Sequence, residues 1–244
     1  MIEVHGHSKS FAGPAGRVMA VDRISLEAHA GEIVGLLGPN GAGKTTTMRM
    51  LATLIAPDAG NATVAGFDVT TASASVRRSI GYLAASTGLY GRLTAREVLV
   101  YTGRLQGVDD AVARADALVE HFDIGRFADV TCELLSTGMK QKVNIARALV
   151  HDPPVLIFDE PTSGLDVMVA QHLFSVLEAA RATGKCVLYS THVMGEAERL
   201  CDRLVVVHRG RVVATGTVEA LRARDPGGRL EAAFMAIVEE KGGG

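Results

Sequence analysis

Short apolar runs alternate along the chain with longer stretches whose apolar positions recur every three or four residues. Residues 33–37, Ile-Val-Gly-Leu-Leu, read as a strand buried on both faces, and the spacing after them predicts a helix over 43–54. Short strands are predicted at 63–64 and 80–83. Another is predicted at 155–158, bounded by Pro153, Pro154 and Pro161. Helical spacing over 167–182 stops at Gly184. A strand over 186–190 and a short helix over 194–200 come next. Residues 203–208 and 211–215 flank Arg209-Gly210 as a hairpin. Buried strands that alternate with helices predict α/β layers around a largely parallel sheet.

The middle of the chain departs from this pattern. Residues 86–151 carry helical spacing and no convincing strand. Thr94-Ala95-Arg96-Glu97 is a capping box that opens a helix ending near Gly107. A second helix is predicted over 110–122. A third runs over 136–151, with Val143, Ala146, Ala148 and Leu149 among its apolar positions. The expected organisation is therefore one domain. Its α/β core comes from 1–85 and 152–228, with a helical subdomain over 86–151 and a tail over 229–244. The Gly242-Gly243-Gly244 end is expected to be disordered.

Composition narrows the function classes. Net charge is −2, from 25 Lys and Arg against 27 Asp and Glu, which gives no positive coat for nucleic acid. Apolar residues at 48% exclude wholesale disorder. Cys132, Cys186 and Cys201 are odd in number and widely spaced, fitting buried inert thiols rather than a disulfide framework or zinc knuckle. The opening MIEVHGHSKS lacks the charged and apolar regions of a signal peptide. No apolar run approaches the ~18 residues of a membrane helix, so any membrane role is expected to come through a partner. The sequon Asn61-Ala62-Thr63 reads as chance in that setting.

Chemistry enters at Gly38-Pro39-Asn40-Gly41-Ala42-Gly43-Lys44-Thr45, which fits G-x-x-x-x-G-K-[ST] at every fixed position. A predicted strand enters the loop and a helix, carrying Thr46, leaves it. Glycines let backbone N–H groups turn inward around a phosphate, and the helix N-terminus adds partial positive charge. Lys44 is placed to reach the β- and γ-phosphates and Thr45 to ligate Mg²⁺. The complementary half is the run Val155-Leu156-Ile157-Phe158-Asp159-Glu160. It sets Asp159 at the C-terminal edge of a buried strand, where ligands bind in parallel sheets. Asp159 is expected to hold Mg²⁺ through water, and Glu160 to accept a proton from the attacking water.

With these residues in place the chain resembles the ATP-binding subunits of ABC transporters over nearly its whole length. Leu135-Ser136-Thr137-Gly138-Met139-Lys140-Gln141-Lys142 stands where that family has its signature motif, about 20 residues before the Asp-Glu pair. Ser163-Gly164-Leu165-Asp166 matches the D-loop, and His192 the switch histidine. Phe11 sits where an aromatic stacks on adenine. Taken singly, Ser136 is equally a helix N-cap, His192 a histidine at a strand end, and Phe11 a core residue.

The resemblance implies a P-loop NTPase core with a parallel sheet, an antiparallel β part and the inserted helical subdomain. It implies ATP and Mg²⁺ as cofactors, and ATP held between two copies. Ser136, Thr137, Gly138 and Met139 of one copy then face the phosphate loop of the other. His192 would hold the γ-phosphate and attacking water, Glu160 would be the base, and Lys44 a catalytic cation. A homodimer or paired nucleotide-binding domains is expected on the cytoplasmic face of the membrane. A separate multi-span permease is the expected partner, with no nucleic acid. In the resemblance, residues 86–93 line a groove that receives a short helix of that permease.

Two departures stand out. The signature has Thr137 and Met139 where Gly and Gln are common, a variant similar to exporters of the ABC-2 class. After the strand at 80–83 the family's glutamine is replaced by Ala85, with Ser86 and Thr87 as stand-ins; hydrolysis is expected to survive and to be slow. Thr87-Gly88-Leu89-Tyr90 and the tail Leu230-Glu231-Ala232-Ala233-Phe234-Met235 resemble sodium-efflux ATP-binding subunits of that class. Drug, lipid or polysaccharide export is the alternative, as is a non-transport ATPase of the iron–sulfur assembly type. A binding-only regulatory module is the remaining reading, against which Glu160 and His192 speak.

Overall fold

The computed structural model describes residues 1–13, 16–84, 87–165 and 167–242. Along the chain run β1 (Ile2–Gly13), β2 (Gly16–Ala28), β3 (Ile33–Leu37), α1 (Lys44–Leu51), β4 (Ala59–Val64), β5 (Phe67–Asp68), α2 (Ser73–Ser79) and β6 (Ile80–Ala84). Next come α3 (Ala95–Leu105), α4 (Ala111–His121), α5 (Thr137–Ala148), β7 (Val155–Asp159), α6 (Val167–Ala182) and β8 (Cys186–Thr191). The chain ends with α7 (Met194–Leu200), β9 (Arg203–His208), β10 (Arg211–Thr217), α8 (Val218–Arg222) and α9 (Leu230–Gly242).

Two sheets form. The larger has the order β10-β9-β3-β8-β7-β6, parallel throughout except for the antiparallel β9–β10 hairpin. Its inner strands β3, β7 and β8 are buried at every position, which explains their apolar runs, broken only by Asp159 and by Tyr189, Ser190 and Thr191 at the C-terminal edge. The smaller sheet, β2-β1-β4-β5, is antiparallel. One apolar cluster fills the space between the two sheets. The other joins the opposite face of the large sheet to α3, α4, α5 and α6. The fold is thus the α/β class expected, with an antiparallel part and a helical insertion between β6 and β7.

Local chemistry explains the helix ends. The capping box forms as read: Glu97 N–H donates to Thr94 Oγ1, and Thr94 N–H to the Glu97 carboxylate. Asp110 caps α4, whose predicted limits contract to Ala111–His121. The helix expected over 43–54 ends at Leu51, because Thr53 turns left-handed (φ 60°) and closes it. The helix expected to reach 151 ends at Ala148, before Asp152 (φ 51°) and Pro153. Arg209 (φ 48°) and Gly210 (φ 77°) make the hairpin turn as expected.

Several elements were not legible. β1 and β2 pair along most of their length, but register shifts between Val4 and Ser10 break the two-residue alternation. The strand read at 63–64 is the end of β4. α8 follows β10 before the tail, the tail forms α9, and Gly242 closes α9 rather than joining a disordered end. Gly243 and Gly244 lie outside the described residues. The cysteines are buried and unpaired, and burial pushes the Cys186 and Cys201 thiols up to about 12. No helix among the described residues is long and apolar enough to cross a membrane.

Candidate functional site

β3 delivers the chain to Gly38 at the C-terminal edge of the parallel strands, and α1 starts at Lys44. Between them Gly41 (φ 79°) and Gly43 (φ 104°) take backbone conformations that side chains resist. Close packing adds to the demand for glycine. A Cβ on Gly38 would lie 2.2 Å from the Val207 carbonyl oxygen, and one on Gly43 would lie 2.5 Å from that of Ala20. No side chain caps the start of α1, and its first turn carries no acidic residue. The positive pole of the helix is left facing the loop.

Lys44 is almost fully buried. Its Nζ donates to the carbonyls of Gly38 (2.7 Å) and Pro39 (3.1 Å) and lies 3.0 Å from Glu160 Oε1. Glu160 holds a left-handed backbone (φ 45°), with its N–H donating to Ser190 Oγ at 3.0 Å. The other oxygen, Oε2, is 3.3 Å from His192 Nδ1. Burial works to raise the Glu160 carboxyl. The hydrogen bond and charge of Lys44, helped by His192, outweigh it and hold the group below the usual glutamate range.

Asp159 ends β7 and stands in register with Ser190 on β8. The carboxylate is buried, and its Oδ1 accepts from Ser190 Oγ at 2.6 Å and Thr45 Oγ1 at 3.2 Å. His192 follows β8 and stays half-exposed. The segment that carries it is tied down at Glu196, which accepts from Thr191 Oγ1 (2.6 Å) and Tyr189 OH (2.9 Å).

Lys44, Thr45 and Glu160 line a cavity of about 440 Å³ together with Phe11, Ala20 and the rest of residues 40–46. Phe11, at 43% exposure, forms part of the rim rather than the core. The donor set suits a phosphate with its counter-ion. An uncapped helix start and Lys44 meet the anion, while Thr45 and Asp159 offer two oxygens to a hard cation. No cluster of His, Cys, Asp or Glu able to hold a metal alone occurs among the described residues. Mg²⁺ fits such an incomplete set, because it takes one or two carboxylates plus substrate phosphates and water.

Other expected residues lie apart. Ser136 is the N-cap of α5 and accepts from Met139 N–H at 3.3 Å. Ser136 and Thr137 are exposed, Gly138 and Met139 half-buried, and none of the four lines the cavity. Asp166, Ala85 and Ser86 lie outside the described residues. Thr87 turns its hydroxyl back to accept from Ala84 N–H at 3.0 Å. A groove of about 310 Å³ opens between the α/β core and the helical insertion, lined by Leu54, Arg77, Tyr82, Tyr90, Tyr101 and Leu105 among others. Of the residues expected there, Tyr90 lines it. Gly91, Arg92 and Leu93 line an adjoining hollow, and Leu89 packs against the core instead. Ser190 was missed as a site residue. Only the β7–β8 register reveals it, since nothing in the local sequence pairs it with Asp159.

Comparison with known proteins agrees with this geometry. The family model described as "ABC transporter" matches residues 21–163. The chain is 40% identical to the ABC transporter ATP-binding protein NatA of Bacillus subtilis, over 97% of each chain. It is 43% identical to the Nod factor export ATP-binding protein I of Burkholderia lata, over 84% of this chain and 68% of that one. A dimeric bacterial ABC transporter cassette superposes with a TM-score of 0.81 at 26% identity, covering 89% of this chain and 98% of that one.

Proposed function

The chain belongs to the ABC transporter family, as an ATP-hydrolysing ATP-binding protein of exporter type; from that premise we propose that it powers export through a separate multi-span permease by ATP-driven closure of a dimer. The observation that carries this reading is the convergence of Lys44, Thr45, Asp159, Glu160 and His192 from separate segments on one phosphate-sized loop.

In this reading residues 38–46 wrap the phosphates with backbone N–H groups, and Phe11 stacks on the adenine. Lys44 leaves Glu160 for the β- and γ-phosphates. Glu160, released, takes the proton of the attacking water, and His192 holds that water and the γ-phosphate in place. Thr45 and Asp159 would hold Mg²⁺, which would supply charge neutralisation on the phosphates. Ser136, Thr137, Gly138 and Met139 complete the site of a second copy. The exposure of Ser136 and Thr137 and the absence of all four from the chain's own cavity lining support this, as does the dimeric state of the similar cassette. The absence of a glutamine at Ala85 slows turnover without abolishing it.

The groove beside Tyr90 receives a short helix of the permease, which brings the protein to the cytoplasmic face of the membrane. Sodium is the substrate favoured by the resemblance of Thr87-Gly88-Leu89-Tyr90 and the tail over 230–235 to sodium-efflux ATP-binding subunits. The likeness to a Nod factor export protein keeps larger organic cargoes as the second reading. The test is affinity purification of the tagged protein from detergent-solubilised native membranes, with the co-purifying proteins identified by mass spectrometry. A multi-span protein among them supports the exporter reading. Soluble partners alone, with and without ATP, overturn it.

A further inference from the structure

The helix α5 starts at the exposed Ser136 end and runs beneath two loops that matter to the proposed function. Three of its side chains, spaced three apart and so gathered on one side of the helix, each donate to a backbone carbonyl outside it. Gln141 Nε2 reaches Pro161 O at 2.8 Å, Asn144 Nδ2 reaches Thr87 O at 3.1 Å, and Arg147 Nη1 reaches Gly88 O at 3.2 Å. Gln141 and Asn144 are 9% and 5% exposed, so breaking either bond would leave a largely buried donor without its partner.

The two ends of this line are significant. Pro161 follows Glu160 directly, and Glu160 is paired with Lys44. Thr87 and Gly88 lead out of β6 towards Tyr90, which with Arg147 lines the groove between core and helical insertion. Ala85 occupies the place of the glutamine that in the resembling family touches the ion and reports nucleotide state. Thr87 turns its hydroxyl back onto Ala84 N–H and does not line the phosphate cavity.

We infer that Gln141 and Asn144 are positioning residues of a relay, in which α5 carries a shift at Glu160–Pro161 to Thr87–Gly88 and so to the groove. When phosphate draws Lys44 from Glu160, the carboxylate loses its nearest cation, and the turn carrying Pro161 loses the tie that this side chain supplied. Gln141 transmits that movement to α5, and Asn144 and Arg147 pass it to the loop after β6. The relay rests on the ATP-binding reading of the site, and it supplies a route from nucleotide to groove that does not need a side chain at position 85. Rigid helices joined by buried hydrogen bonds are physical carriers of such coupling, provided the element has two arrangements that both sites bias.

The test is hydrogen exchange of the backbone amides over 87–93 in the full chain. It is measured with and without the magnesium complex of a non-hydrolysable imido analogue of ATP. The wild type should show nucleotide-dependent protection in this segment. Gln141→Leu, close in volume but without a donor, should bind the analogue with unchanged affinity and lose the protection change. Asn144→Leu should do the same and carries the test if Gln141→Leu fails to fold. A merely structural role for these amides would alter exchange equally in both nucleotide states. Retention of the nucleotide-dependent change in either folded variant overturns the relay. So does a wild type that binds the analogue without any change over 87–93. A wild type that does not bind the analogue overturns the ATP-binding reading itself, which keeps the two failures distinct.

Discussion

Replacing Lys44 with methionine keeps most of a buried, unbranched side chain and removes one charge. In the structure that charge serves the Gly38 and Pro39 carbonyls and Glu160 Oε1, all within 3.1 Å. A hydrogen bond to a charged group contributes about 1.5–3 kcal/mol net. If the Lys44–phosphate bond has that strength, its loss weakens ATP binding about 10–150-fold at 1.4 kcal/mol per decade. The exchange of partners reduces the effect, because Lys44 gives up Glu160 when it takes the phosphate. The expected loss is therefore in the lower part of that range. A second effect adds to the loss: with Lys44 gone, Glu160 faces incoming phosphate uncompensated. Glu160→Gln in the same background should recover part of the affinity. Calorimetric titration with Mg-ATP reads both. Thermal melting separates them from the cost of leaving the Gly38 carbonyl without its donor, about 1–3 kcal/mol. An affinity within about threefold of wild type for Lys44→Met, well under one decade, would refute the assignment of Lys44 to phosphate.

Two more outcomes are expected from the geometry. Because Lys44 and His192 hold the Glu160 carboxyl below the usual range, their stabilisation is complete above the unfolded glutamate value of about 4.3. It is lost as pH falls through the lower folded value. The melting temperature of wild type should exceed that of Glu160→Gln at neutral pH, and the gap should close as pH falls below the glutamate range; a gap independent of pH would contradict the pairing. Tyr90 is 64% exposed and meets Tyr101 edge-on at 6.0 Å, so Tyr90→Asp should leave basal ATP turnover intact and uncouple transport in the reconstituted complex. Equal loss of both would remove the groove from coupling.

How much of this was legible in the sequence depends on the range of the interactions concerned. The phosphate loop was readable because its demands are local: two left-handed glycines, a strand before, a helix after and a lysine at the helix start. Asp159 and Glu160 were readable because an apolar run ending in acid marks a strand edge. Ser190 was not, because its bond to Asp159 depends on the pairing of β7 with β8. Gln141 and Asn144 look like ordinary polar positions on a helix, and only the fold shows which carbonyls they meet. β1 and β2 were hidden by register shifts that interrupt the alternation of inward and outward positions. The tail over 230–235 stands out only through resemblance, and its α9 helix was not read, since a helix packed on β9, β10, α7 and α8 carries no motif of its own.

Glu160→Gln offers the most direct test of the central claim, that ATP joins two copies of this chain and hydrolysis separates them. The amide keeps the size of the side chain but cannot take a proton from water, so the cycle should stop after binding. Sedimentation velocity of this variant at saturating Mg-ATP should show a dimer, reverting to monomer when nucleotide is removed. A monomer at saturating Mg-ATP, with binding confirmed by calorimetry on the same sample, would contradict the account.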